Sequence, residues 1–292
     1  MTPSVVRPMR VEDLEAFAEI TATSYHEVDT RTHQRAWPDP VRRPAARNGH
    51  WIRRTGQALV TDPGGCWVAE VDGEVVGGAV SRVRELMWIL ASFAVRPEHQ
   101  GRGIGTELMA AALHHGRGCL RGMFAASADP AAVRRYRLAG FDLHPQMMLT
   151  GVVDRSAIPV VDRVREGTAG DVDLMDSVDR RTRGAAHGSD HELMLGLWRL
   201  IVSDSTTGSG YAYLDGTGVA LLAATNRRTA ARLLWTALAD AGEEASVFHV
   251  TAANEWAIDV GLAARLELHT EGYLGLRGMA PPAPYLHNGA LL

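Results

Sequence analysis

Residues 87–117 read MWILASFAVRPEHQGRGIGTELMAAALHHGR, and this stretch decides the fold. Its first part, Met87 to Val95, is a short apolar run with β-branched and aromatic residues, which is typical of a buried strand. Pro97 ends the strand because proline has no N–H to donate to the ladder. From Thr106 an apolar pattern predicts a helix, and Gly116 is a typical helix stop. The stretch therefore predicts a strand, a glycine-rich loop and a helix in succession.

The loop between this strand and helix has the composition of an anion-binding site. We call it the glycine loop; it consists of Gln100, Gly101, Arg102, Gly103, Ile104 and Gly105, with Thr106 next in the chain. Glycines remove Cβ atoms where a ligand must approach the backbone. The first N–H groups of the following helix have no intrahelical partner and favour an anion. The residues thus predict a cradle for a phosphate or pyrophosphate group.

Several kinds of phosphate cradle fit a glycine-rich loop, and the sequence separates them. A Walker A loop needs Lys, but all 30 basic residues of this chain are Arg, so that loop is excluded. A dinucleotide-binding fingerprint needs a third glycine where Thr106 stands, and it lies near the start of a βαβ unit. Here several elements precede the loop, which disfavours an oxidoreductase. A glycine-rich turn that binds nothing remains the plain alternative.

The spacing of the stretch resembles the acyl-CoA loop of the GNAT superfamily of N-acyltransferases. In that family a strand ending in V-x-P precedes Q/R-x-x-G-x-G/A, and Val95-Arg96-Pro97 followed by Gln100, Gly103 and Gly105 matches it. The resemblance implies that residues 100–106 bind the pyrophosphate of acetyl-CoA as co-substrate. It also implies that the pantetheine arm pairs with the backbone of Phe93, Ala94 and Val95.

A second motif lies downstream, where residues 128–141 read ADPAAVRRYRLAGF. Asp129 and Pro130 predict the start of a helix after a short strand at 123–127. The pattern is similar to the second GNAT motif, N-x-x-A-x-x-x-Y-x-x-x-G-F. The resemblance implies that Tyr136 is the catalytic acid and that Asp129 contributes to cofactor binding, although the family has Asn there. The alternative for Tyr136 is a core aromatic whose hydroxyl is satisfied.

Composition bounds the remaining possibilities. A chain of 292 residues, 46% hydrophobic and 22% charged, predicts a globular protein of about two domains. The net charge of −4 disfavours a nucleic-acid partner. No apolar run is long enough for a membrane span, and two cysteines make no disulfide framework. We therefore expect a reduced, cytoplasmic protein that binds neither nucleic acid nor membrane.

The rest of the chain predicts two tandem copies of one architecture. The expected fold class is α/β (an α+β mixed sheet), with two GNAT-like domains, each a mostly antiparallel mixed sheet flanked by helices. We place a catalytic domain at 1–153 and a degenerate domain with the C-terminal tail at 154–292. In the second copy Thr225-Asn226-Arg227-Arg228-Thr229-Ala230 replaces the glycine loop, and Gly261 stands opposite Tyr136.

Local patterns lead to four further expectations. Residues 11–20 and 191–203 are predicted as amphipathic helices. The segment 24–54 is predicted to be irregular up to a candidate helix from Trp51 to Leu59, and its seven arginines to form a solvated face. The Pro-rich but apolar tail is expected to dock on the body of the protein. His187 and His191 are not expected to share a helical face, so no metal site is predicted.

The function predicted from these patterns is acetyl transfer from acetyl-CoA to a primary amine of a small metabolite or antibiotic. A peptide or protein amine is a further option, and the rival hypothesis is a non-catalytic acyl-CoA-binding or interaction module. The base that deprotonates the amine stays open among Glu85, Glu27, His26 and the C-terminal carboxylate of Leu292. The protein is expected to be a monomer or homodimer.

Overall fold

The computed structural model describes residues 3–35 and 37–292. It divides into two compact units, Met1–Phe141 and Asp142–Leu292. No helix among the described residues is both long and apolar enough to cross a membrane.

The first unit is a mixed sheet with four helices. Its elements are β1 (Val5–Pro8), α1 (Leu14–Thr32), α2 (Ala45–Thr61), β2 (Cys66–Val71), β3 (Glu74–Arg84), β4 (Met87–Val95), α3 (Ile104–His115), β5 (Arg121–Ala126) and α4 (Pro130–Leu138). The strands lie in sequence order, antiparallel from β1 to β4. The last pair, β4 and β5, is parallel.

The acceptor-side segment is more helical than its sequence predicts. Helix α1 continues to Thr32 and α2 begins at Ala45, so the expectation of an irregular 24–54 segment was wrong for most of its length. Trp51, Thr55 and Ala58 recur at helical spacing and are buried. Burial of this one face stabilises α2, although many of its residues are polar.

Aromatic packing fixes α3 against the sheet and so positions the glycine loop. Trp88 is fully buried, and its Nε1 donates to the carbonyl of Ala112 on α3 at 2.8 Å. A Cβ at Gly116 would lie 2.3 Å from the Trp88 ring, so only glycine allows this approach. The Phe141 ring packs 5.7 Å from the Trp88 ring, measured between centroids.

The second unit follows the same order of elements. It contains β6 (Asp142–Val152), β7 (Arg165–Glu166), α5 (Val172–Thr182), α6 (Asp190–Leu195), β8 (Arg199–Ser205), β9 (Gly208–Leu214), β10 (Gly218–Ala224), α7 (Arg227–Asp240), β11 (Glu244–Thr251), α8 (Glu255–Ala263), β12 (Glu267–Arg277) and β13 (Tyr285–Leu286). Within this unit the strand order is β12-β6-β11-β10-β9-β8-β7, with β13 on β10. Only β10 and β11 pair in parallel.

Two predictions for this part of the chain need correction or qualification. The helix expected at 191–203 is a short helix, α6, followed by strand β8, because Leu200, Ile201 and Val202 are buried and pair with β9. Strand β6, expected to close the first domain, pairs on both edges with strands of the second unit, β11 and β12. The compact units therefore divide at 141, whereas the functional boundary at 153 stays a prediction.

Candidate functional site

The glycine loop leaves a row of backbone donors without partners. Gly101 and Gly103 adopt φ of +75° and +91°, and a Cβ at either would meet nothing within 4 Å. Helix α3 begins directly after Gly103, and no side chain caps it. Among the described residues, the N–H groups of residues 101–105 make no hydrogen bond. Such a helix N-terminus has the donors and the dipole that bind a phosphate or pyrophosphate.

Gln100 differs from its neighbours in the loop because its side chain makes a hydrogen bond to the protein backbone. Its Nε2 donates to the carbonyl of Val95 at 3.0 Å, and Ser24 Oγ donates to the same oxygen at 3.3 Å. The side chain therefore ties the loop to the end of β4. Arg102 is exposed beside the unpaired N–H groups and adds positive charge there.

One edge of β4 is free over its second half. The parallel pairing with β5 covers only Met87–Ile89 of β4. A bulge follows, because Val80 pairs with Ser92 and Ser81 with Leu90, which leaves Ala91 unmatched. The Arg96 N–H donates to the carbonyl of Val76 on β3. Because successive residues of a strand point their N–H and C=O groups to alternate edges, those of Phe93 and Val95 point away from β3. An extended ligand can pair at this edge as an added strand does.

Tyr25 of α1, which the sequence analysis did not single out, lies at this edge. Its hydroxyl accepts from the Phe93 N–H at 3.3 Å and donates to the Phe93 carbonyl at 3.4 Å. Tyr25 as a whole is 41% exposed, but desolvation of its hydroxyl raises its pKa, and the Phe93 hydrogen bond and the charges of Arg43 and Arg54 oppose that rise. Nothing in the local pattern of a mid-helix tyrosine signals this contact, because Phe93 is 68 residues away along the chain.

Tyr136 is brought to the same place by α4. It is only 6% exposed, and its ring centroid lies 4.1 Å from that of Phe124 and 6.5 Å from that of Phe93. Burial raises the pKa of Tyr136, and the neighbouring Tyr25 raises it further. The Tyr25 hydroxyl thus lies on the Phe93 peptide, and the Tyr136 ring packs beside the Phe93 ring.

Asp129 uses its carboxylate within the protein. Oδ1 accepts from the Ala132 N–H at 2.8 Å and caps α4, and Oδ2 pairs with Arg31 of α1. This geometry matches the predicted helix start. The cofactor-binding role of Asp129 is a prediction that these contacts leave open.

A groove of about 370 Å³ runs between α3 and α4. Its lining residues are Thr106, Met109, Ala110, Leu113, Ala131, Arg134, Arg135, Leu138 and Ala139. Arg135 Nη1 donates to Thr106 Oγ1 at the start of α3. The groove thus continues from the glycine loop, with two guanidinium groups on one wall, which sequence analysis did not anticipate.

The candidate bases separate by position. Glu85 lies in the turn before β4, and the strand from its first residue, Met87, to Phe93 spans about 20 Å at ~3.3 Å per residue. Glu27 is exposed on α1. His26 is half-buried next to Tyr25, and its Nδ1 makes no hydrogen bond among the described residues. Position therefore disfavours Glu85 and favours His26 of these three.

Comparison with known proteins identifies the fold. Residues 19–141 match the model of the acetyltransferase (GNAT) family. A structure from Pyrococcus horikoshii, provisionally described as an acetyltransferase, has a TM-score of 0.75 at 18% identity, covering 99% of this chain and 95% of that one. The chain has the GNAT fold.

Other solved structures with this fold are more distant. A GCN5-related N-acetyltransferase from Sphaerobacter thermophilus covers 95% of this chain and 96% of its own, with a TM-score of 0.60 at 14% identity. One from Kribbella flavida covers 94% of this chain and 71% of its own, with a TM-score of 0.58 at 18% identity. No curated protein matches the sequence significantly.

The second unit holds different groups at the positions that form the cradle of the GNAT fold. Where α3 starts uncapped, α7 is capped by Asn226, whose Oδ1 accepts from the Thr229 N–H at 2.9 Å. Strands β10 and β11 also separate after a short parallel pairing, at Gly218 and Val219 of β10. The freed edge of β10 pairs with β13 of the C-terminal tail, Leu222 with Leu286 and Ala223 with Tyr285.

The tail is an integral part of the second unit, as the sequence predicts. Tyr285, Leu291 and Leu292 are almost completely buried. Gly261, opposite Tyr136 in the alignment of the two copies, would place a Cβ 2.5 Å from Leu149 Cδ1. Because Gly261 has no side chain, Leu149 of β6 can pack closely against α8.

His187 and His191 do not share a helical face, as the sequence predicts, because His187 precedes α6, but the two side chains still meet in the second unit. Both face Asp179, and one possible ligand atom from each of the three residues lies within 4.8 Å of the others. His187 Nδ1 donates to Asp179 at 2.6 Å, and the Tyr211 hydroxyl donates to the same carboxylate at 2.5 Å. Arg183 Nη1 lies 3.1 Å from His187 Nε2, so a fixed positive charge opposes a metal cation here. The contacts describe a buried polar network.

Proposed function

We propose that the protein is an N-acetyltransferase that uses acetyl-CoA and acts on the primary amine of a small molecule. The observation that carries the proposal is the uncapped start of α3, where the N–H groups of residues 101–105 make no hydrogen bond to any described residue, beside the part of β4 that β5 leaves unpaired. The family match over residues 19–141 supports the same reaction class.

The first unit would hold acetyl-CoA along a continuous surface. The N–H groups of residues 101–105 suit the pyrophosphate, and Arg102, Arg134 and Arg135 add positive charge beside it. The Val95 N–H, and the Phe93 N–H and C=O once Tyr25 releases them, suit the amides of the pantetheine arm. The Val95 carbonyl, in contrast, stays bonded to Gln100 and Ser24. Acetyl-CoA supplies the acetyl group as an activated thioester.

The N–H of Phe93 is the donor best placed to polarise the thioester carbonyl. In the structure it is already bound to an oxygen, the hydroxyl of Tyr25 at 3.3 Å. An oxygen of the ligand can take that position once Tyr25 releases the N–H. A backbone donor held in place before the reaction stabilises the negative charge that develops on such an oxygen.

Tyr136 would protonate the departing thiolate. With ordinary values of ~10 for a phenol pKa and ~8.5 for a thiol pKa, the transfer is uphill by about 2 kcal/mol. Burial raises the pKa of Tyr136, and the same burial raises the pKa of a thiol beside it, so the two changes partly cancel. A positioned acid can work against a difference of this size.

The amine has to lose a proton before it attacks. An alkylammonium of pKa ~10.4 is about one part in 2,500 free base at neutral pH. His26 is the candidate base, since its Nδ1 is unbonded among the described residues and it neighbours Tyr25. The C-terminal carboxylate of Leu292 stays an alternative.

We also propose that the second unit is a degenerate GNAT domain that binds no acyl-CoA. Its helix start is satisfied by Asn226, and its β10 edge by the tail strand β13. Both features that would receive a ligand in the first unit are thus used internally. One acetyl-CoA should bind per chain.

Calorimetric titration of acetyl-CoA, followed by an assay of thiol release with a panel of amines, tests the proposal. We expect one site per chain and thiol release that depends on the amine. Binding with no release on any amine would favour the rival hypothesis of an acyl-CoA-binding module. No binding would refute the assignment of the glycine loop, and two sites would refute the degenerate second unit.

A further inference from the structure

Three arginines of the first unit converge on the acceptor side of Tyr25. Arg82 of β3 is fully buried, and its Nη2 donates to the carbonyl of Arg54 at 2.7 Å. Arg43 Nη2 donates to Thr21 Oγ1 at 2.6 Å, and its Cζ lies 5.3 Å from the Trp51 ring centroid. Arg43 and Arg54 belong to the segment whose arginines the sequence predicts as a solvated face. For these two residues that prediction was wrong.

Arg43 and Arg54 bring positive charge to this place without an ion-pair partner among the described residues. Among the described residues, no carboxylate lies within 4 Å of the guanidinium nitrogens of Arg43 or Arg54. Burial lowers the pKa of Arg54 to about 10, and the charges of Arg82 and Arg43 contribute to that fall. The acid that acts on Arg43, Glu19, is exposed and paired with Arg42. Gathering cations without a counter-ion is costly unless an anion binds there.

Hydrogen-bond donors at the same place also lack acceptors. Trp51 is 3% exposed, yet its Nε1 makes no hydrogen bond among the described residues. The buried Nε of Arg43 likewise has no acceptor. Buried donors are nearly always satisfied in folded proteins, so these two await an acceptor group.

The cluster lies next to the candidate reaction centre. Arg43 donates to Thr21, which lies one helical turn before Tyr25 on α1. The charges of Arg43 and Arg54 both act on the Tyr25 hydroxyl, and that hydroxyl lies on the Phe93 peptide. A group bound by the two guanidiniums would therefore lie within a small molecule's length of the reacting amine.

We propose that the acceptor is an amine that also carries an anionic group, a carboxylate or a phosphate, and that Arg43 and Arg54 bind this group. The proposal rests on the proposed acetyl transfer and narrows its substrate class. A polycationic amine, such as an aminoglycoside antibiotic, would be repelled by the cluster. An acceptor with its own anion pairs with the guanidiniums and supplies the counter-ion that they lack among the described residues.

Matched acceptor pairs test the proposal through the rate of thiol release from acetyl-CoA. The carboxylate arm compares L-amino acids with their carboxamides, and the phosphate arm compares glucosamine 6-phosphate with glucosamine. We expect kcat/KM for the preferred anionic member to exceed that of its neutral partner by about 10- to 100-fold, as for a charge-assisted hydrogen bond. The arm that shows the difference identifies the anion.

Variants locate the effect in the cluster. Arg54→Gln and Arg43→Gln should each remove most of the anion preference, mainly through KM, and Arg54→Lys should restore part of it. Arg47→Gln is the matched control, because Arg47 is exposed on the same helix as Arg54. Acetyl-CoA affinity, measured by calorimetry, should stay unchanged in all four variants. Since only folded protein binds acetyl-CoA, this measurement also shows that the variants are folded.

The outcomes separate this proposal from the proposed function. Transfer to neutral amines at rates equal to their anionic partners would overturn the anionic acceptor and leave acetyl transfer intact. Acetyl-CoA binding without transfer to any anionic amine would overturn it as well and leave the cofactor site standing. Loss of preference in Arg47→Gln to the same extent as in Arg54→Gln would overturn the assignment to the cluster.

Discussion

A single added methyl group in the glycine loop separates backbone strain from ligand binding. Gly103 has φ +91° and ψ −20°, and a Cβ there meets no protein atom within 4 Å. An L-residue in this left-handed region costs roughly 1–2 kcal/mol. Gly73, in the Asp72-Gly73 turn between β2 and β3, has φ +83° and equally free surroundings. Gly103→Ala and Gly73→Ala should therefore lose similar stability.

Their effects on acetyl-CoA should differ. The new Cβ of Gly103→Ala takes up space over the N–H groups that would receive the pyrophosphate. Displacing the phosphate from one or two of these donors removes charge-assisted hydrogen bonds worth about 1.5–3 kcal/mol each. One such bond lost weakens the Kd by about 10- to 150-fold. Gly73→Ala, far along the chain from the loop, should leave the Kd unchanged.

Two measurements on each variant decide the matter. Thermal unfolding should show a Tm loss of about 2–8 °C for both variants, at ~2–4 °C per kcal/mol for a unit of this size. Calorimetric titration with acetyl-CoA should show weaker binding for Gly103→Ala alone. An unchanged Kd in Gly103→Ala, or equal weakening in Gly73→Ala, would refute the reasoning that places a pyrophosphate on the loop.

Three further predictions concern single residues. Tyr136→Phe should lower kcat by about 100-fold or more while the acetyl-CoA Kd changes little, as expected for loss of a general acid. The rate of thiol release measures kcat, and an unchanged kcat would exclude Tyr136 as the acid. Gly261→Ala should destabilise the protein by about 1–3 kcal/mol, because its Cβ would overlap Leu149. Urea unfolding measures this loss, and a variant that unfolds at the same urea concentration as the wild type would contradict it. For the Asp179 carboxyl, burial alone would raise the pKa, but His187, His191 and Arg183 outweigh it and hold the pKa well below the ordinary 3.8. Its stabilising effect is therefore complete above about pH 4 and lost as the pH falls further. Asp179→Asn should cost about 3–5 kcal/mol at neutral pH. Its deficit in unfolding free energy should stay constant from about pH 6 to pH 4 and shrink below about pH 4; a deficit that stays constant down to about pH 2 would argue against an ionised Asp179.

Patterns confined to a few neighbouring residues were predictable. The Asp72-Gly73 turn, with φ of 52° and 83°, has the left-handed pair that this dipeptide favours in a two-residue hairpin. The order of strands and helices around β4 and α3 was predicted correctly, and so was the docking of the tail. Each of these follows from local sequence, whether turn chemistry, hydrophobic period or apolar composition.

Predictions failed where pairing partners decide the conformation. Residues 199–205 have an apolar content that fits a helix or a strand, and pairing with β9 makes them a strand. Strand β6 could close either unit by its sequence, and its pairings with β11 and β12 place it in the second. Hydrophobic periodicity over a short run does not contain this information.

The sequence by itself determined the backbone of the glycine loop, because glycines at 101 and 103 and the following helix act through adjacent backbone atoms. It also determined that α7 starts with a side-chain cap where α3 has none, since Asn226 precedes α7. Only the tertiary structure brought Tyr25 onto the Phe93 peptide and turned Arg43 and Arg54 inward from a segment rich in arginine. Those contacts join residues far apart in the chain, and long-range contacts depend on how helices pack on the sheet and leave no local pattern.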